Sequence, residues 1–220
     1  MDGSLLAHWQ GLRKEGLVIP LGVMGFWTAA LVGVHRDTQL ATQLVFGFQA
    51  LVPLVAGILA AGLVVGDPAL ELLLSLVSSP FRFLVGRLAA LLATVYAATL
   101  AFEGLALALG ALPARPPGSW GWVPPWLAAG WFLSTLGTLA GLATGTRIGG
   151  ALLPALVWLL ALTNQGPWRL WTWSQCFNPL LAFRPPAGAP LGTNLMALAL
   201  LGAGLLLASY PWIRRPERYL

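Results

Sequence analysis

The chain has 220 residues, of which 58% are hydrophobic and 9% are charged, and its formal net charge is +5. A soluble domain carries about 25% charged residues, so this composition excludes an ordinary soluble fold and predicts a single all-α membrane domain, residues 1–220. The basic residues stand at the ends of apolar runs rather than along a basic stripe, which argues against nucleic acid as a partner.

The N-terminal segment, residues 1–16, predicts a short helix lying on the membrane surface. Leu5, Trp9 and Leu12 recur at helical spacing and form an apolar stripe, while the polar residues lie away from it. A disordered polar tail is the alternative. No small-residue cleavage site follows the first apolar run, so we expect no signal peptide.

Six apolar runs approach the length of about 20 residues that crosses a bilayer. They predict an all-α integral membrane protein with about six transmembrane helices. The runs cover residues 17–34, 44–65, 81–112, 125–143, 148–162 and 194–212. The fifth run is short for a complete crossing.

The distribution of basic residues predicts the orientation of these helices, because Lys and Arg are enriched on the cytoplasmic side. An even number of spans places both termini on one side, where eight basic residues would lie, against four on the other. We therefore expect a multi-pass protein of the inner, cytoplasmic membrane with both termini in the cytoplasm. The tryptophans of the outer loops fit an interfacial aromatic belt.

The first cytoplasmic loop carries two helix-start signals in succession. Asp67 can cap a helix, Pro68 suits its first position, and Glu71 adds a favourable charge near its N-terminus. A second start follows at Ser79 and Pro80. The sequence therefore predicts a short cytoplasmic helix, a turn, and then the third span.

The outer loop before the sixth span, residues 163–193, is too apolar and aromatic for a free loop. We expect one or two short helices that dip into the outer leaflet, with a break at Asn178 and Pro179. Trp171 and Trp173 belong to this predicted re-entrant element. Anchoring in the aromatic belt is their favoured role, and lining an exit for substrate or lipid is the alternative.

Two charged residues are candidates for function. Glu103 is a carboxylate within an apolar run, a costly placement that points to a pathway, a proton relay or a buried partner. A structural hydrogen bond is its alternative role. Arg147 follows the turn between the fourth and fifth spans, where it either anchors the helix at the cytoplasmic surface or contacts a partner protein.

Glycines of the second and fourth spans predict close contacts between helices. Gly57 and Gly62 lie in one, and Gly137 and Gly141 form a Gly-x-x-x-Gly pattern in the other. Because glycine is abundant in the chain, the pattern does not identify a dimer face.

The sequence offers no set of residues for catalysis or for binding a metal. His8 and His35 are far apart, and Cys176 is the single cysteine, expected to be a packed thiol. An intramembrane protease or acyltransferase needs clustered polar groups within its spans, and these are nearly absent. We therefore expect a protein that is not itself an enzyme.

The order of these elements resembles the permease subunits of the ABC type-2 exporter family. The resemblance is carried by the Leu-rich run of residues 67–76, by Gly86-Arg87 leading into the third span, and by Asn178-Pro179-Leu180 before the last span. The order covers nearly the whole chain. Val77 stands where the family often has proline.

The resemblance implies that the short cytoplasmic helix is a coupling helix that docks in a groove of a separate ATPase subunit. ATP and Mg²⁺ would be bound by that subunit, because this chain lacks a Gly-x-x-x-x-Gly-Lys phosphate loop. Two ATPase copies and a second permease, identical or homologous, would complete the transporter. The residues expected to contact the ATPase are Asp67, Pro68, Leu70, Glu71, Leu73, Leu74, Ser75, Arg82 and Arg147.

Two other functions remain open at the level of sequence. A haem-exporter-like permease of cytochrome maturation has a similar length and number of spans. A membrane scaffold or assembly subunit without transport is the second possibility, and the predicted coupling helix argues against it. Apolar walls favour a lipid-like or amphipathic cargo, but the sequence does not name one.

Overall fold

The computed structural model describes residue 25 and residues 46–63, 65, 79–108, 124–163, 172–182 and 188–213. The described part of the chain is mostly helical and contains no strand, as expected for an all-α protein. The predicted surface helix, nearly all of the predicted first span and the predicted cytoplasmic segment 66–78 lie outside the described residues.

Seven helices are labelled here in chain order. They are α1 (Val52–Ala61), α2 (Pro80–Ala108), α3 (Pro125–Thr144), α4 (Arg147–Thr163), α5 (Thr172–Gln175), α6 (Leu191–Ala208) and α7 (Tyr210–Ile213). A single π-helical turn, Gly47–Leu51, leads directly into α1. Apart from the short helix α5, the described helices lie within the predicted second to sixth spans or extend a few residues beyond their ends.

The lengths and compositions of the helices are those of a membrane protein. Pro80–Ala108, Pro125–Thr144 and Leu191–Ile213 are each long and apolar enough to cross a membrane. Two shorter apolar helices, Gly47–Ala61 and Arg147–Thr163, accompany them. Many large apolar side chains are exposed on these helices, with Ile148 at 85%, which suits contact with lipid better than with water.

Proline and glycine set the helix boundaries that position the site. α2 begins at Pro80, and the Ser79 hydroxyl lies 3.5 Å from the Arg82 amide in its first turn, as the sequence predicted. α3 ends at Gly145, whose φ of 66° places it in the left-handed region that favours glycine. The turn from α3 into α4 is consequently only two residues long.

Helices α1, α3 and α4 meet backbone to backbone through glycines. A Cβ atom on Gly137 would overlap the carbonyl oxygen of Gly57, and one on Gly141 would lie 2.5 Å from the carbonyl oxygen of Ala61. A Cβ atom on Gly150 of α4 would lie 2.6 Å from the Cα of Gly141. The predicted close contact is thus confirmed, and it joins helices of the same chain.

Helix α2 packs through large side chains instead. Its buried residues include Phe83, Leu84, Leu88, Leu91 and Leu92, which form one cluster with Phe48 and Val52 from the chain around the π-turn. The short helix α7 adds Ile213 to the same cluster, and Phe81 contacts Tyr210 edge-on with ring centroids 5.4 Å apart. The start of α2 and the end of the described chain therefore lie at the same end of the bundle.

Candidate functional site

Three connections of the chain meet at one end of the bundle, which we call the loop end. They are the exit from α1 at Leu63 and Val65, the start of α2 at Ser79, and the turn between α3 and α4. At this end the described chain stops at Val65 and resumes at Ser79, on either side of segment 66–78. Its predicted coupling residues lie outside the described residues; they are Asp67, Pro68, Leu70, Glu71, Leu73, Leu74 and Ser75.

Two arginines bind the backbone at the exit from α1. The helix ends at Gly62, so the carbonyl groups that follow have no place in its regular hydrogen-bond pattern. Arg87 of α2 donates from Nη1 to the Leu63 carbonyl oxygen at 2.6 Å. Arg147 of α4 donates from Nε to the Val65 carbonyl oxygen at 2.7 Å. Two neighbouring carbonyl groups are thereby held by two different helices.

Arg87 is built into the core of the bundle. Only 4% of its surface is exposed, and its guanidinium carbon lies 4.5 Å from the centroid of the Phe83 ring. Leu84 and Leu88 are buried beside it on the same helix. The aromatic face and the carbonyl oxygen together offset part of the cost of removing a guanidinium from water.

Arg147, in contrast, lies at the surface of the loop end. It is the first residue of α4, and its side chain passes over Gly62, where its Cδ would lie 3.6 Å from an added Cβ. The Thr146 hydroxyl accepts a hydrogen bond from the Gly149 amide at 3.0 Å and so caps the helix. The described contact of Arg147 is therefore with its own chain, and its predicted contact with an ATPase stays a prediction.

Arg82 occupies the first turn of α2 and is exposed. It lies between Ser79 and Arg87 in the sequence, in the part of α2 that is at the loop end and that follows segment 66–78. Its predicted role as an ATPase contact is compatible with this exposure and stays a prediction.

The opposite end of the bundle, the distal end, contains Glu103. The carboxylate is 8% exposed, and its Oε2 accepts a hydrogen bond from the Trp126 indole at 3.2 Å. Tyr96 packs edge-on against Trp126 at 5.3 Å and donates from its hydroxyl to the Leu127 carbonyl oxygen at 2.8 Å. Glu103 thus takes part in the joint between α2 and the start of α3.

Asn194 of α6 binds backbone carbonyl groups at the end of α5 and in the turn after it. Sequence analysis did not identify it as a site residue. Its Nδ2 lies 3.0–3.1 Å from the carbonyl oxygens of Gln175, Cys176 and Asn178. Asn194 is buried, and the available signal was an amide at the start of an apolar run. The location of its partners was not readable from that signal.

The predicted outer element is partly described. Asn178 is buried and accepts the Leu180 amide on Oδ1 at 2.9 Å, which closes a turn at the predicted break, and Pro179 is buried beside it. Trp173 is 63% exposed and meets Phe177 edge-on at 6.4 Å. Trp171 lies outside the described residues. The element therefore presents an aromatic pair outward while its turn is held inside.

Within the described ranges, no three His, Cys, Asp or Glu residues are grouped as metal ligands. Comparisons of the chain with protein-family models, with curated proteins and with solved structures gave no match.

Proposed function

We propose that this chain is the membrane-spanning permease subunit of an ATP-driven ABC type-2 exporter, coupled to a separate ATPase subunit through segment 66–78. The observation that carries the proposal is the anchoring of both ends of that segment. Two arginines hold its exit from α1, and a serine cap and a proline start the helix that follows it.

Anchoring at both ends is what a mechanical connection requires. A docking loop must transmit displacement to the bundle, and contacts of its flank with more than one helix, here α2 and α4, favour that transmission. In the proposed cycle, ATP binding closes the ATPase pair, segment 66–78 is carried with it, and the bundle tilts from inward to outward opening. The glycine contacts among α1, α3 and α4 would make those helices move together.

The remaining features of the proposal follow from the sequence pattern. Six spans with both termini in the cytoplasm place the loop end at the cytoplasmic face and Trp173 at the outer interface. The translocation path would lie between this chain and a second permease, and two ATPase copies would bind ATP and Mg²⁺. Arg82, exposed at the loop end, is a described residue available to contact the ATPase.

The test is to co-purify the chain with the ATPase encoded beside it and to measure ATP hydrolysis in lipid vesicles. The variant Glu71→Arg/Leu73→Asp reverses a charge and introduces one within segment 66–78. We expect it to abolish complex formation or to reduce stimulated hydrolysis at least tenfold.

The matched control is Arg115→Glu, a charge reversal in the loop between α2 and α3, which the predicted topology places on the opposite side of the membrane. It should leave complex formation and hydrolysis unchanged. If the wild-type chain captures no ATPase, or if the segment 66–78 variant behaves like wild type, the permease proposal fails and a scaffold subunit becomes the better interpretation.

A further inference from the structure

The contacts at the exit from α1 connect three helices through two carbonyl groups. Leu63 and Val65 are two residues apart, and their carbonyl oxygens bind arginines that are 24 and 82 residues away in the chain. Arg87 belongs to α2, which follows segment 66–78, and Arg147 belongs to α4. The residues just before segment 66–78 are therefore bonded to α2, which follows the segment, and to α4, which lies much farther along the sequence.

Cations at this position are favoured by the backbone itself. The Leu63 and Val65 carbonyl groups lie just beyond the C-terminus of α1, whose partial negative charge favours cations nearby, and charge-assisted hydrogen bonds are short and strong. Both observed distances, 2.6 and 2.7 Å, are in the short range. An arginine offers several donors in a fixed plane, so it can hold a carbonyl group while its remaining donors serve other partners.

We propose that Arg87 and Arg147 form a carbonyl clamp that makes the start of segment 66–78 move together with α2 and α4. Arg147 is then a positioning residue for coupling, acting through Val65 rather than by touching the ATPase. The role in coupling rests on the proposed function, whereas the clamp is a property of this chain alone.

The two halves of the carbonyl clamp differ in what can be tested. Arg87 is buried in the core, so its replacement would disturb the fold as a whole. Arg147 is exposed at the start of α4, and α4 is independently held to α3 by the Gly150 contact. Substitutions of Arg147 therefore change the clamp while the packing of α4 remains.

Side-chain geometry provides a matched pair of variants. In Arg147→Gln, the Nε2 donor occupies the same position along the side chain as Nε of arginine, so the bond to the Val65 carbonyl can form without the positive charge. In Arg147→Met, a methyl group occupies that position and no donor remains. Arg147→Lys keeps the positive charge and its contribution to orientation but moves the donor one atom outward.

The primary measurement is amide hydrogen exchange on the chain alone in lipid nanodiscs. Peptides covering residues 59–66 and 147–153 report on the two sides of the carbonyl clamp. Arg147→Met should raise exchange in both peptides by about tenfold, the factor expected for the loss of a hydrogen bond to a charged group, whereas Arg147→Gln should raise it much less. If Arg147→Met leaves the exchange of both peptides unchanged, or if Arg147→Gln and Arg147→Met raise it equally, the carbonyl clamp is refuted.

ATP hydrolysis of the complex with the ATPase is the second measurement. Stimulation should fall about fivefold in Arg147→Met and be retained in Arg147→Gln. A loss in Gln with retention in Lys would show that the charge acts directly on the ATPase, which overturns the positioning role. If the wild-type chain fails to stimulate an ATPase but the exchange results hold, the proposed function is refuted and the carbonyl clamp stands.

Discussion

At both ends of the bundle, side chains donate hydrogen bonds to backbone carbonyl groups, but the loop end and the distal end use different donors. Backbone carbonyl groups that lie beyond a helix end need hydrogen-bond partners away from water. At the loop end the donors are the guanidinium groups of Arg87 and Arg147, whereas at the distal end the donor is the Asn194 amide. Among the described residues, the basic side chains Arg82, Arg87 and Arg147 lie at the loop end, although both ends are tied by hydrogen bonds.

The orientation of the bundle in a membrane stays a prediction, and the arginines of the loop end are among the residues from which it was made. Guanidinium groups at the loop end suit the cytoplasmic side, where basic residues are enriched, and a neutral amide and exposed aromatic rings suit the opposite interface. The donors of the loop end also reach the carbonyl groups of a different helix, so that end joins helices α1, α2 and α4. At the distal end, Asn194 holds a single turn after α5 against α6, and Glu103 and Tyr96 join α2 to α3.

The largest expected effect comes from breaking the contact that lies between the two ends. Gly137→Leu would force a side chain into the backbone of Gly57, so we expect a loss of more than about 3 kcal/mol in the free energy of unfolding. Both ends should then show raised hydrogen exchange together. Gly104→Leu is the control, because a Cβ there meets nothing within 4 Å. Equal stability of the two variants would contradict the glycine contact.

Arg87→Met is expected to weaken the loop end next most strongly. Loss of the buried donor leaves the Leu63 carbonyl group without this bond, and hydrogen bonds to charged groups are worth about 1.5–3 kcal/mol. Denaturant titration in mixed micelles would measure the change. Arg82→Met removes the same charge from an exposed position and should change stability by less than about 0.5 kcal/mol. If Arg87→Met lowered the free energy of unfolding by less than Arg82→Met, the bond from Arg87 to the Leu63 carbonyl group would not stabilise the loop end.

Asn194→Leu should loosen the distal end while the loop end stays intact. We expect a loss of about 1–3 kcal/mol and faster proteolysis within residues 172–182. Asn194→Asp should be worse than Leu, because a carboxylate facing three carbonyl oxygens is an acceptor that repels acceptors. Hydrogen exchange at residues 59–66 serves as the internal control. An Asp variant as stable as wild type would show that Asn194 is not the donor.

The smallest effect is expected at Glu103. Glu103→Gln keeps an oxygen acceptor for the Trp126 indole and should change stability by less than about 0.5 kcal/mol, whereas Glu103→Leu should cost about 1 kcal/mol. Unfolding and transport should be measured on the same preparations. A Gln variant that is stable but inactive in transport would show that the carboxylate has a function beyond the joint between α2 and α3.

Helix boundaries were largely predictable from sequence, because proline, glycine and apolar length act locally. The apolar run predicted at 125–143 corresponds to the helix Pro125–Thr144, and the run predicted at 148–162 corresponds to the helix Arg147–Thr163. Contacts were less predictable, because they depend on residues distant in sequence. The carbonyl group that Arg147 binds lies 82 residues earlier, and neither hydropathy nor motif spacing indicates such a pairing.

The candidate site was predicted in outline only. Sequence analysis placed Arg82 and Arg147 on the same side of the membrane, and both lie at the loop end, but it did not identify the contact of Arg87 with the exit from α1. It also missed Asn194, because a single amide near a helix start has many possible partners. The predicted role of segment 66–78 rests on the resemblance and on the anchoring of its flanks.

The π-helical turn Gly47–Leu51 sets the rotational position of Phe46 relative to α1. The Val52 amide bonds to the Gly47 carbonyl oxygen, five residues back, so this turn holds one residue more than an α-helical turn. The Trp158 indole bonds to the Ala50 carbonyl oxygen at 2.8 Å and holds the turn against α4. If the same residues formed an α-helical turn, Phe46 would be rotated by about 100° about the helix axis, whereas the wider π-turn takes up the extra residue and keeps Phe46 in register with α1.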